Sequence, residues 1–161
     1  MVFGIDFDNT ISTNNYPYVG DIIPMAKEVI NTLVENGHTI MLWTVRGDEI
    51  VSYEGENNIN ALNNAINFLE INGIKVHYFN KSPIHPSTSQ KSSPKQLVDY
   101  FIDDIGLGTP LIIYNGKYLV VDWMVMCKYL VRVGAISNEQ FIKLKNIAFE
   151  KYPNIWRLNE I

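Results

Sequence analysis

One cysteine, Cys127, is all the chain has, so no disulfide can form within it. It sits in an apolar, helix-patterned stretch and reads as a packing residue. Long hydrophobic runs are also missing. The most apolar stretch, Leu119 to Val133, is broken by Asp122, Lys128 and Arg132, while a membrane span needs about 20 mostly apolar residues. Positive charge is in deficit: 13 Lys and Arg against 17 Asp and Glu leave a net charge of −4. That excludes a broad attraction to nucleic acid or to an anionic membrane, though a local site can still take a phosphorylated substrate. The histidines His38, His77 and His85 are scattered, without metal-ligand spacing. A strand pattern from Val2 leaves no room for a leader peptide, so the expected location is the cytoplasm.

Apolar residues are not scarce. At 47% of the chain they suffice for a packed core. The order of patterns along the chain is informative. Residues 2–7 read as a short strand. A helix is expected up to Asn36, capped by Asp21, with Ala26, Val29, Ile30, Leu33 and Val34 as its stripe and Gly37 as its stop. Thr39 to Thr44 reads as a second strand. Ile59, Leu62, Ile66 and Leu69 mark a second helix, stopped near Gly73. Ile74 to Phe79 reads as a third strand.

Residues 80–94 are Ser/Pro/Lys-rich and read as a loop; Lys95 to Val98 reads as a short helical turn. Tyr100 to Ile102 is a fourth strand. Leu111 to Tyr114 and Tyr118 to Val121 flank Asn115-Gly116, a hairpin-turn dipeptide. Two helices close the chain. One runs from Asp122 to about Val133, and the other starts at Ser137, where Gln140 has capping-box spacing. This order predicts an α/β fold: an open, Rossmann-like parallel sheet with helices on both faces, then a C-terminal β-hairpin and two helices. The expectation is a single domain, with a core of about residues 2–121 and a helical extension of about 122–161.

Parallel sheets bind ligands at the carboxyl ends of their strands, and the polar residues gather there. In "GIDFDNT", Asp6 and Asp8 follow the first strand. Thr44 and Arg46 follow the second, and Asp103 and Asp104 the fourth. Several carboxylates in one place repel one another unless a hard cation such as Mg²⁺, which takes oxygen ligands, holds them. One aspartate can then be a nucleophile and its neighbour a general acid. Thr44 offers a hydroxyl and Lys95 a point charge to phosphate oxygens. Each of these features alone is weak, since acidic pairs after strands often make turns. Their joint order carries the signal.

That order resembles the haloacid dehalogenase (HAD) superfamily of phosphohydrolases, in its small capless form. Asp6-Phe7-Asp8-Asn9-Thr10 matches its DxDxT motif, "IMLWT" ending at Thr44 its second, and "FIDD" ending at Asp104 its fourth; Lys95 serves as the third. The likeness covers about residues 2–108, and Asn9 stands where Gly is common.

The resemblance implies a Mg²⁺-dependent phosphatase. Asp6 would form an aspartyl-phosphate, and Asp8 would act as general acid and then base. Mg²⁺ would be held by the Asp6 carboxylate, the Asp8 backbone carbonyl and Asp103, with Asp104 in support; Thr44 and Lys95 would hold the phosphoryl group. Lys81 and Lys91 compete with Lys95. Arg46 is either a substrate contact or a loop arginine paired with Asp48 or Glu49.

Cap insertions usually select the substrate in this superfamily. Here only a short flap within residues 9–20 and the 80–94 loop are available, so an open site is expected. The phosphorylated substrate is unidentified. A nucleotide or nucleic-acid end is an alternative that lacks a basic tract, and a non-catalytic binding module is the rival from another class. The apolar helix from Asp122 predicts cover by its neighbour helix and the sheet, or by a second subunit in a homodimer.

Overall fold

In the computed structural model of the protein, residues 1–53, 56–81 and 96–156 are described. Four parallel strands form the main sheet: β1 (Val2–Ile5), β4 (Thr39–Leu42), β7 (Tyr78–Phe79) and β8 (Tyr100–Ile102), in the order β7-β4-β1-β8. β1 is therefore central, and the expected Rossmann-like α/β arrangement is present. The third strand is shorter than predicted. Ile74 is buried, but only Tyr78 and Phe79 pair with β4.

Alternation along the strands sorts the side chains. Phe3, Ile5, Ile40, Leu42 and Ile102 join the hydrophobic core with the helices. The other face carries Gly4 and Met41. A Cβ at Gly4 would lie 2.6 Å from the Phe101 ring. The glycine in β1 is thus the space into which that ring fits.

Helix α1 (Ala26–Glu35) buries Ala26, Val29, Ile30 and Leu33 of the predicted stripe, and Val34 is half-buried. Its start differs from expectation. Asp21 is exposed and lies in strand β3 (Tyr18–Ile22), which pairs antiparallel with β2 (Ser12–Asn15). Met25, at positive φ, occupies the cap position of α1 without a side-chain cap bond. α2 (Ala61–Asn72) starts at an Asn60 side-chain cap and ends at Gly73. Ile59 lies before it, in a hairpin of β5 (Ile50–Tyr53) and β6 (Glu56–Asn60) that the sequence pattern did not suggest. Gln96 to Val98 carry no helical turn.

The C-terminal elements match their local signals. β9 (Leu111–Tyr114) and β10 (Tyr118–Val121) pair antiparallel with Tyr114 opposite Tyr118, and Asn115 and Gly116, both at positive φ, open the three-residue connection between them. Asp122 caps α3 (Trp123–Arg132), and Ser137 with Gln140 forms the capping box of α4 (Asn138–Lys151). Within the chain, α3 already buries Trp123, Met124, Met126, Cys127 and Leu130. Tyr129 is the apolar residue of α3 left largely exposed, so intrachain packing covers most of the helix. Burial pushes the Cys127 thiol up to about 12, which suits a packing residue rather than a reactive one.

Candidate active site

Asp6, Asp103 and Asp104 stand at the carboxyl ends of β1 and β8. An oxygen from each lies within 4.8 Å of the others. The backbone fixes this meeting. The Asp6 amide donates to Ile102 O at 2.9 Å, continuing the β1–β8 ladder one residue into the acidic segments. The loop after β1 is held from several directions. Thr10 Oγ1 accepts from the Asp104 amide at 3.2 Å, and Thr10 O accepts from Trp123 Nε1 at 2.8 Å. Asn9 donates through Nδ2 to Asp104 Oδ2 at 3.2 Å. Asn9 adopts φ 54°, a left-handed conformation that asparagine tolerates and glycine readily takes. This accounts for the asparagine at a glycine-prone place.

Crowding shows in the electrostatics. Burial pushes the Asp6 carboxyl up to about 7; the charges of Asp103, Asp8 and Asp104 add to this, and the Phe7 backbone N–H opposes it. Asp104 is also raised, mainly by burial, with the Asn9 hydrogen bond working the other way. Between pH 3.8, the ordinary value, and about 7, folded Asp6 holds a proton that the unfolded chain releases. The unfolded state binds fewer protons there, so stability falls as pH rises through that window. At about 1.4 kcal/mol per pH unit, the loss is on the order of 4 kcal/mol. We expect metal-free protein to melt progressively lower from pH 4 to 7.5, Asp6→Asn to lack that part of the slope, and millimolar Mg²⁺ to restore the melting temperature near neutrality. Parallel melting curves for wild type and Asp6→Asn across the range would contradict this.

Asp8 is placed differently from the other three carboxylates. Its Oδ2 accepts from Arg46 Nε at 2.8 Å and its Oδ1 from Arg46 Nη2 at 2.7 Å. Arg46 was expected to touch substrate or to pair with Asp48 or Glu49; its side chain is instead fully buried, while that of Asp8 keeps 16% exposure. The guanidinium also donates to the carbonyls of Pro17, Tyr18 and Ala61, at 3.0, 2.8 and 3.4 Å. It lies 4.8 Å from the Phe7 ring centroid and 5.5 Å from that of Tyr16. A buried cation with this many acceptors is fixed in place.

Thr44 Oγ1 accepts from the Arg46 amide at 3.2 Å, so its own hydroxyl proton is available to a phosphate oxygen. Asn80, unremarked in the sequence, braces this loop: its Oδ1 accepts from the Thr44 amide at 2.8 Å and its Nδ2 donates to Arg46 O at 3.3 Å. Its signal was its place, directly after the apolar residues of β7. Lys81 follows it and is exposed. Lys91, Lys95 and His85 lie outside the described residues. Two hairpins, β2–β3 after β1 and β5–β6 after β4, follow strands at this carboxyl edge; only the first had been expected, as a flap.

No family model matches the chain, and no curated protein matches it. Among solved structures it is similar to a conserved protein coded by a locus of Bacteroides thetaiotaomicron. The identity is 28% and the TM-score 0.60, over 87% of this chain and 95% of that one. The likeness extends through nearly the whole fold and carries no activity with it. Among the described residues, no helix is long and apolar enough to cross a membrane.

Proposed function

We propose that this chain is a phosphoric monoester hydrolase of the HAD superfamily, dependent on Mg²⁺ and working through an aspartyl-phosphate on Asp6. The observation that carries the reading is the convergence of Asp6, Asp103 and Asp104 within 4.8 Å at two adjacent strand ends. An all-carboxylate donor set, one member of it held toward neutrality by burial, fits a hard divalent cation. The Asp6 and Asp103 carboxylates and the Asp8 backbone carbonyl would hold Mg²⁺, with Asp104 in support. Bound there, the cation would favour ionised Asp6 and offset phosphate charge.

The chain's own groups supply the remaining steps. An Asp6 oxygen attacks phosphorus as the bond to the leaving oxygen breaks. Asp8 gives that oxygen a proton, then takes one from the water that releases phosphate from Asp6. Thr44 donates a hydrogen bond to the phosphoryl oxygens, and a lysine, Lys95 or exposed Lys81, adds a positive charge.

Phosphate release from sugar phosphates, nucleotides and end-phosphorylated oligonucleotides, with Mg²⁺ and with excess chelator, tests this. Hydrolysis should require Mg²⁺, and Asp103→Asn should raise the Mg²⁺ concentration for half-maximal rate by about tenfold, equivalent to roughly 1.4 kcal/mol. Chelator-resistant turnover would refute the mechanism. Mg²⁺ binding seen by calorimetry without turnover on any ester would favour a non-catalytic module.

A further inference from the structure

We infer that the outer edge of β9 is a homodimer interface, where two copies of the chain meet across a two-fold axis and their hairpins join into one antiparallel sheet, β10-β9-β9-β10. The contact is independent of the chemistry proposed at the acidic cluster.

The hairpin belongs to no larger sheet. β9 pairs with β10 alone, so its other edge has no strand beside it among the described residues. Backbone groups along it alternate in direction. Pro110 O accepts from the Asp122 amide at 2.8 Å and Tyr114 O from the Lys117 amide at 3.2 Å. Residues 110, 112 and 114 therefore turn their polar groups toward β10, and Leu111 and Ile113 turn theirs outward. Edges of natural sheets are usually blunted by charge, by proline within the strand or by a bulge. β9 reads LIIY, without charge, and runs in unbroken register with β10. Pro110 precedes it, at a position that faces β10 and owes the outer edge no N–H.

This edge is complementary to itself. With the two-fold axis at Ile112, Leu111 of each copy stands opposite Ile113 of the other. These are the two residues with outward polar groups, so each pair exchanges two hydrogen bonds. Their side chains share the face that carries Leu119, which stands opposite Ile113 in β10. Leu111, Ile113 and Leu119 are 38%, 67% and 55% exposed. Across the axis they become one apolar stripe of cross-strand pairs. The two copies of Lys117 fall at opposite ends of the joined sheet, so these like charges stay apart. Leu107, shortly before the strand, is wholly exposed and lies toward the turn of the other copy. At about 100 Å² of apolar surface for each side chain, the contact withdraws on the order of 500 Å² from water. The joined backbones bring it close to the roughly 1,000 Å² of a specific interface. That size predicts reversible association, with a dissociation constant of about 10 µM.

Sedimentation equilibrium from about 1 to 100 µM tests this. The wild-type mass should rise from 18.4 kDa toward twice that value. Ile113→Lys puts an ammonium group into the stripe at a position that faces solvent in the single copy. Its circular dichroism should match wild type, while its dissociation constant rises about 10²-fold. Tyr129→Lys, on the exposed side of α3, should leave association unchanged. Ile112→Cys reads the register. At the axis its two thiols meet across a close, non-hydrogen-bonded pair, and mild oxidation should link the copies, Cys127 being buried. A strictly monomeric wild type would overturn the homodimer and leave the edge to a strand of another protein. A dimer abolished by Tyr129→Lys and untouched by Ile113→Lys would overturn it too, by moving the contact to α3.

Discussion

Asp6→Asn is expected to lower Mg²⁺-dependent phosphate release by about 10⁴-fold or more, the scale on which losing an attacking group is felt. The amide is close to the carboxylate in shape, so the β1–β8 ladder that fixes residue 6 is undisturbed. What disappears is the oxygen that attacks phosphorus. The same substitution should make the metal-free protein more stable at pH 7.5, because it removes a charge from the crowd of Asp8, Asp103 and Asp104 that surrounds Asp6. An inactive yet more heat-resistant variant is the signature of a group kept in a costly position for chemistry. Calorimetry and phosphate release on one preparation check both halves. Wild-type turnover in Asp6→Asn would end the aspartyl-phosphate mechanism.

The largest effect on stability should come from Trp123→Ala. Trp123 is fully buried in the main core, and its Nε1 donates to Thr10 O in the loop that carries the acidic residues. Emptying a buried tryptophan site costs about 3–5 kcal/mol. In a chain of this size that means roughly 2–4 °C per kcal/mol in melting temperature, or on the order of 10 °C. Trp123→Phe separates the two contributions. It keeps most of the packing and leaves the Thr10 carbonyl unpaired, for about 1–3 kcal/mol. Both variants should also weaken Mg²⁺ binding, since Thr10 receives the Asp104 amide. A melting shift under 2 °C for Trp123→Ala would mean that the C-terminal helices are an appendage.

The features that were legible in the sequence have short-range causes. The β9–β10 turn needs residues that accept positive φ, and Asn115-Gly116 says so directly. Asp122, and Ser137 with Gln140, cap their helices through atoms two or three positions away. The acidic cluster was legible for a similar reason: apolar strands ending in aspartates must deliver them to one edge of a parallel sheet. What escaped detection depends on distant partners or on weak propensities. Ser12–Asn15 and Glu56–Asn60 are too polar to announce strands, yet both form hairpins. Asp21 looked like a cap by residue type, but its amide is bound by Thr13 Oγ1 across β2–β3. Arg46 read as a substrate contact or as a loop arginine paired with Asp48 or Glu49. No local rule indicates that its fork closes on Asp8, 38 positions earlier.

The loop after β1 has a consequence for the order in which the protein is made. Asp6 and Asp8 leave the ribosome well before the residues that hold their loop in place. Asn9 must await Asp104, 95 positions later, and Thr10 must await Trp123, 113 positions later. Contacts of such separation form late, after the long intervening loop has been closed. A nascent chain that stops short of β8 carries Asp6 without Asp103 and Asp104, and so lacks two of the three carboxylates of the cluster. Cation capture is thereby tied to the emergence of β8 and the acidic pair after it, and Mg²⁺ should stabilise chains that include Asp103 and Asp104 over chains that stop before them.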